Sequence, residues 1–248
     1  MTKRYLFANW KMNLTEEESI NLAKKFANAS STLKNTVVGV APSMLNVSAT
    51  KKAVQNSLLV GAQNVYFEDS GAFTGEVSVQ MLKAINADFT LTGHSERRNV
   101  FGETDELVAK RTKKALDENL ITIFCIGEKL DARESGQTNK VLQTQMDALI
   151  SLLENKNYEN LIIAYEPVWA IGTGKVATTK EIKETHSFIA TYWEEKTSFT
   201  CPPILYGGSV KPDNYEEIIK VPLVSGALVG GAALKEDQFV GLMEISEK

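Results

Sequence analysis

The sequence predicts an α/β fold, a single-domain (β/α)8 barrel over residues 1–248. Three observations carry that expectation. Short apolar, β-rich runs recur eight times at fairly regular intervals, helical patterns lie between them, and no composition break, low-complexity tract or long linker divides the chain. The runs are YLFAN (5–9), TVVGVAP (36–42), LLVGAQN (58–64), DFTLTG (88–93), ITIFCIGE (121–128), LIIAYEP (161–167), PILYGG (203–208) and LVSGALVGG (223–231). They are continuous rather than alternating, as strands are when a parallel sheet is covered on both faces. Eight parallel strands joined by crossover helices close most naturally into a barrel. An open doubly wound sheet is the alternative, but it would want a glycine-rich fingerprint in the first strand–helix turn, and "ANWKMNLTEEE" has none.

The helices are justified one by one. The first opens on "LTEEESI", where Thr15 and Glu18 form a capping-box pattern just before Ile20. In 137–154, Leu142, Met146, Leu149, Ile150 and Leu153 fall on one helical face. Near 182–193, Ile182, Ile189 and Trp193 make another stripe.

Composition narrows the function. Hydrophobic residues make up 43% and charged residues 23%, ordinary for a folded protein. A net charge of -4 offers no basic field for nucleic acid or anionic lipid, so any anionic ligand must be held by local groups. With two cysteines, far apart, and two histidines, a His/Cys metal site is not expected. The start "MTKRYLFANW" reaches a polar asparagine too soon for a signal peptide, and no apolar run approaches the roughly 20 residues that span a bilayer. The expected compartment is therefore the reducing cytoplasm, and the triplets NAS, NLT and NVS are read as chance.

In such a barrel the active site belongs at the C-terminal ends of the strands. Those ends deliver Asn9 and Lys11, His94, Glu166, the run Gly207-Gly208-Ser209, and Gly230-Gly231. Singly each has an ordinary explanation: a lysine at a loop start is usually a solvated charge, and paired glycines are often tight turns. Their convergence on one face is what points to a site. In "TGHSERR", Ser95 suits an N-cap, which would place the His94 imidazole beside the positive end of a short helix and keep it neutral. The other histidine, His186, follows Ile182 on an apolar stripe and reads as structural. Glycines at the last two strand ends can bring bare N–H groups to a phosphate. "AYEPVWAIGTGK" ends a buried strand in a carboxylate and continues into a greasy, glycine-rich segment. It is not a Walker loop, which would require Gly at 169 and Ser or Thr at 176.

"ANWKMN", "GAFTGEVS", "GHSERR", "CIGEK", "AYEPVWAIGTGK", "YGGSV" and "LVGGAALK" occur in this order on the eight units. Together, from Phe7 to about Leu234, they make the chain resemble the triosephosphate isomerase family, whose fold is the TIM barrel. The resemblance implies that Glu166 is the base shifting a proton between C1 and C2 of a triose phosphate. It implies that neutral His94 polarises the carbonyl, that Asn9 and Lys11 stabilise the enediolate, and that no cofactor or metal takes part. Backbone N–H groups of Gly172, Ser209 and Gly231 would grip the phosphate, with Gly230 shaping the turn. Residues 167–175 would be a lid carrying Trp169 and Ile171 over the closed site. Glu96 would stand beside Lys11, and Ser95 and Cys125 beside the catalytic groups. The 68–78 loop would plug into a second copy, with Thr74 near the partner's site, in a homodimer. A non-catalytic barrel, or another phosphosugar-binding one, is the competing reading. Three positions depart from the family pattern: Ala8 stands where Gly is usual, and Ser225 and Ala190 occupy the places of an Asp and an Arg.

Overall fold

The computed structural model describes residues 3–154, 158–171 and 176–248. Its strands are β1 (Arg4–Asn9), β2 (Thr36–Ala41), β3 (Leu59–Ala62), β4 (Phe89–Thr92), β5 (Ile121–Ile126), β6 (Leu161–Tyr165), β7 (Ile204–Tyr206) and β8 (Val224–Val229). They pair in sequence order, every pair parallel, and β8 returns to β1, so the sheet has no free edge. Around it run α1 (Glu16–Ser30), α2 (Val47–Val54), α3 (Val79–Ala84), α4 (Ser95–Asn99), α5 (Asp105–Asp117), α6 (Leu130–Glu134), α7 (Thr138–Ile150), α8 (Thr179–Thr197), α9 (Pro212–Ile219) and α10 (Glu236–Glu247).

The continuous apolar strands divide their side chains between two separate cores. Outward-facing residues such as Leu6, Ala8, Phe124, Ile126 and Ile163 pack against the helices. Their inward-facing neighbours Phe7, Phe89, Leu91, Ile123, Cys125, Ala164, Leu205 and Leu228 fill the barrel itself. Phe7 and Phe89 meet edge to face at 4.8 Å, and small residues leave them room. A Cβ on Gly39 would lie 2.6 Å from the Phe7 ring, and one on Gly61 2.5 Å from that of Phe89. At Gly226, with φ +152°, a side chain would run into the Tyr5 carbonyl across the β1–β8 seam. The barrel closes there only around a glycine.

The helix expectations hold with one adjustment. Glu18 N–H donates to Thr15 Oγ1 at 3.4 Å while Thr15 N–H donates to the Glu18 carboxylate at 2.7 Å, which completes the capping box. Ile182, Ile189 and Trp193 are buried along α8. The pattern expected over 137–154 stops earlier: α7 ends at Ile150, and Leu153 reaches the core from the turn that follows. A residue in a closing turn can keep the helical spacing of its apolar contacts without being helical.

Among the described residues, no helix is long and apolar enough to cross a membrane, and no group of three or more His, Cys, Asp or Glu side chains could hold a metal ion.

Candidate active site

The C-terminal ends of β1, β4, β6, β7 and β8 open onto one cavity of about 530 Å³ lined by Asn9, Lys11, His94, Glu166, Ser209, Gly230 and Gly231, among others. Three remote stretches of sequence thus deliver Lys11, His94 and Glu166 to a common space.

Asn9 is the last residue of β1 and Lys11 follows the buried Trp10, whose indole N–H donates to Ala233 O at 3.0 Å. Lys11 lies in the left-handed region, φ 54°, which costs a non-glycine residue on the order of 1 kcal/mol. Two hydrogen bonds hold it there: Lys11 N–H donates to Asn9 Oδ1 at 3.0 Å, and Gln63 Nε2 donates to Lys11 O at 2.7 Å. The same Gln63 amide also reaches Ala41 O at 3.0 Å, tying together the ends of β1, β2 and β3. Lys11 Nζ is then directed to Glu96 Oε1 at 2.6 Å.

His94 is itself the N-cap of α4, where the sequence had suggested Ser95. Its Nδ1 accepts the Glu96 N–H at 3.2 Å, so in the neutral ring the proton sits on Nε2. Nε2 faces Glu166 Oε1 at 3.0 Å. Ser95 becomes the first residue of the helix and spends its donors on the same carboxylate: its N–H on Oε2 at 2.8 Å and its hydroxyl on Oε1 at 3.4 Å. The Glu166 side chain is 2% exposed, and glycines make its seat. A Cβ on Gly127 would collide with Glu166 O, and one on Gly207 would lie 2.9 Å from Glu166 Cγ.

Two opposing effects act on the His94 pKa. Burial, the larger single influence, lowers it; the charge and hydrogen bond of Glu166 raise it and, with Glu96, leave it above its ordinary value, while Lys11 pulls downward. Contact with Glu166 therefore favours the imidazolium in this arrangement, and the expectation of a neutral ring depends on the carboxylate being elsewhere. Cys125 lies under this pair; burial, reinforced by Glu166, pushes its thiol well up, so it is a packing residue rather than a nucleophile. His186, fully buried with only Leu223 O near its Nδ1, is driven down to about 4 by burial.

On the far side of the cavity, Ser209 Oγ donates to Ala170 O at 2.7 Å, joining the turn after β7 to the segment after Glu166. Gly230 lies close to Lys11: a Cβ there would meet Lys11 Cε at 3.4 Å. Gly231 begins a 3₁₀ turn, Gly231–Leu234, and space opens in front of it. The expected Gly172 lies outside the described residues, as does the rest of the lid's C-terminal half. Of the lid residues described, Ile171 lines the cavity. Trp169 points elsewhere: its indole N–H donates to Glu128 Oε1 at 2.9 Å, beside the Tyr165 hydroxyl at 3.1 Å, with Arg133 over its ring.

A family model described as triosephosphate isomerase matches residues 4–246. Similar proteins include the triosephosphate isomerase of Clostridium beijerinckii, 44% identical over 98% of this chain and 99% of the relative. That of Alkaliphilus metalliredigens is 41% identical over 98% and 99%. That of Rhodopirellula baltica is 42% identical over 98% of each. The chain belongs to the triosephosphate isomerase family.

Of the positions expected to depart from the family pattern, Ala190 is absorbed into the apolar layer outside the barrel, 8% exposed, and Ser225 lies part-buried on β8. Neutral side chains at both places leave no buried charge unpaired there. Ala8 fits the same layer without exposure. The residues missed from the sequence are Gln63, Glu128, Lys211 and Lys235. Gln63 gave one signal, a polar side chain directly after a buried strand, β3, much as the polar Asn9 closes β1.

Because Glu166 supplies the upward pull on His94, the Glu166→Gln variant is expected to titrate His94 at lower pH than the parent. Carbon-13 NMR of the two imidazoles measures this, with the buried His186, on which Glu166 does not act, as the internal comparison. An unchanged or higher His94 value would contradict the assignment.

Proposed function

We propose that the protein interconverts dihydroxyacetone phosphate and D-glyceraldehyde 3-phosphate by proton transfer through an enediolate. The observation that carries this reading is the convergence of Lys11, His94 and Glu166 on one cavity whose other wall is formed by the turns after β7 and β8. A carboxylate beside a substrate carbon can take a proton from C1 and return it to C2, and the negative charge that develops on the oxygens needs donors. His94 Nε2–H and Lys11 Nζ are those donors, with Asn9 holding the Lys11 backbone. Ser209 and Gly231 present the phosphate end with backbone N–H groups, Gly230 shapes the turn, and Gly172 falls outside the described residues. Neither a metal nor an organic cofactor is required for such a step.

The contact between His94 Nε2 and Glu166 must give way as substrate enters, since one N–H cannot serve both the carboxylate and a substrate carbonyl. With Glu166 withdrawn, its upward pull on the imidazole ends. The Glu96 N–H at Nδ1 then opposes a second ring proton, and His94 donates as a neutral group. Glu96 keeps Lys11 aimed from behind. Residues 167–175 serve as the lid, Ile171 reaching over the cavity and Trp169 leaving Glu128 as the segment closes, which excludes water and strengthens the remaining electrostatics.

A homodimer is part of the same proposal. Met12, Leu45, Phe73 and Phe101 stand exposed on the successive loops after β1, β2, β3 and β4, with Phe73 at the tip of the 68–78 loop and its ring tilted against that of Tyr66 at 4.7 Å. An apolar band of that kind suits a self-complementary contact that carries Thr74 toward the partner's site. The cytoplasmic setting is supported by Cys125 and Cys201 being free thiols, and the absence of a basic field argues against nucleic acid. A single catalytic domain over 1–248 accounts for all of these features.

Glu166→Gln should fold normally and lose about 10²–10⁴-fold in turnover of glyceraldehyde 3-phosphate, measured in a coupled assay without added metal. Near-parental turnover would remove Glu166 from its role, and an inert parent would favour the non-catalytic barrel. Sedimentation is expected to give twice the 27.3 kDa of one chain. Phe101→Glu with Leu45→Glu is expected to yield monomers; a parent that sediments as a monomer contradicts the dimer.

A further inference from the structure

The charge balance of the cavity does not follow from the groups that move protons. Lys11, the ammonium at the strand ends, is offset by Glu96 at 2.6 Å, and His94 faces Glu166 at 3.0 Å, so whichever form the imidazole takes the floor carries no net positive charge. The whole chain carries -4. A phosphate ester near neutral pH brings a charge of about -1.5 to -2 of its own, so these groups alone supply nothing to attract it and the net charge of the chain opposes it.

Two further ammonium groups line the same cavity. Lys211 stands two residues beyond Ser209, and Lys235 directly follows the Gly231–Leu234 turn. Both are exposed, and Glu236, the nearest acid in sequence to Lys235, is taken by Lys25. Each is adjacent in sequence to one of the two turns proposed to hold the phosphate.

We infer that Lys211 and Lys235 are specificity-determining residues that reverse the sign of the field at the cavity mouth, allowing an acidic protein to capture a phosphate dianion phosphate-end first. The substrate rests on the isomerase reading above; the electrostatics does not. Long, solvated lysine side chains gain little from any one geometry. Their field, in contrast, acts over a Debye length of about 8 Å at physiological salt and raises encounter rates. Their effect therefore belongs to kcat/KM for a charged substrate, and not to kcat.

The test compares the full-length parent with Lys211→Gln/Lys235→Gln and Lys211→Arg/Lys235→Arg across ionic strength. For glyceraldehyde 3-phosphate, the glutamine pair should lower kcat/KM on the order of ten-fold at low salt, shrinking to within about two-fold near 0.5 M. Its kcat, and its turnover of unphosphorylated glyceraldehyde, should match the parent, and the arginine pair should restore kcat/KM. Equal kcat/KM at low salt overturns the inference, as does a deficit that persists at high salt or extends to glyceraldehyde. If the parent turns over no glyceraldehyde 3-phosphate, the isomerase reading fails separately. Calorimetric binding of inorganic phosphate then decides the electrostatic claim: weaker, salt-sensitive binding by the glutamine pair supports it, and equal or absent binding by parent and variant overturns it.

Discussion

The site depends on how many protons the His94 ring holds. Its Nδ1 lone pair is occupied by the Glu96 N–H, so the ring has one proton to offer and one direction, Nε2, in which to offer it. That direction faces Glu166 in the structure and, in the proposed reaction, an oxygen of the substrate. A second proton would turn the electrophile into a cation paired to its own base, and proton transfer would have to break that pair first. Capping α4 with His94 itself, rather than with Ser95, is what imposes the restriction, because capping and donation use opposite edges of one ring.

The rest of the barrel keeps that geometry fixed. β1 ends in a left-handed Lys11 braced by Asn9 and Gln63, so the ammonium is placed by backbone rather than by a loose side chain. β6 ends in a carboxylate seated between Gly127 and Gly207, where the absence of side chains leaves it room. Ser95 holds that carboxylate through two donors, its N–H and its hydroxyl. Trp169 is parked on Glu128, a buried acid that burial pushes up and that the Trp169 and Tyr165 donors pull back down.

Much of this was legible in the amino-acid order. The eight strands could be placed because each is buried on both sides and therefore apolar without interruption, and the meeting of Lys11, His94 and Glu166 at one cavity because polar side chains at the ends of such runs are anomalous. Thr15 and Glu18 announced their own helix start. The capping of α4 was misread because a histidine ring is an uncommon cap, whereas serine is a frequent one, and only the backbone angle at residue 94 distinguishes them. Glu128 and Lys235 were illegible for another reason: their importance comes from which loops the barrel places side by side, and sequence spacing carries no record of that. The lid expectation was half accessible, since Ile171 reaches the cavity while Trp169 is held by a residue from the preceding strand's loop.

The central claim, that an ionisable carboxyl relays the transferred hydrogen, is tested most directly by following dihydroxyacetone phosphate in D2O by proton NMR. A proton carried on Glu166 exchanges with solvent while the enediolate persists, so deuterium should appear at C2 in part of the glyceraldehyde 3-phosphate formed. Product that retains only protium at C2 would show that the hydrogen never becomes exchangeable with solvent during transfer, and would contradict the account.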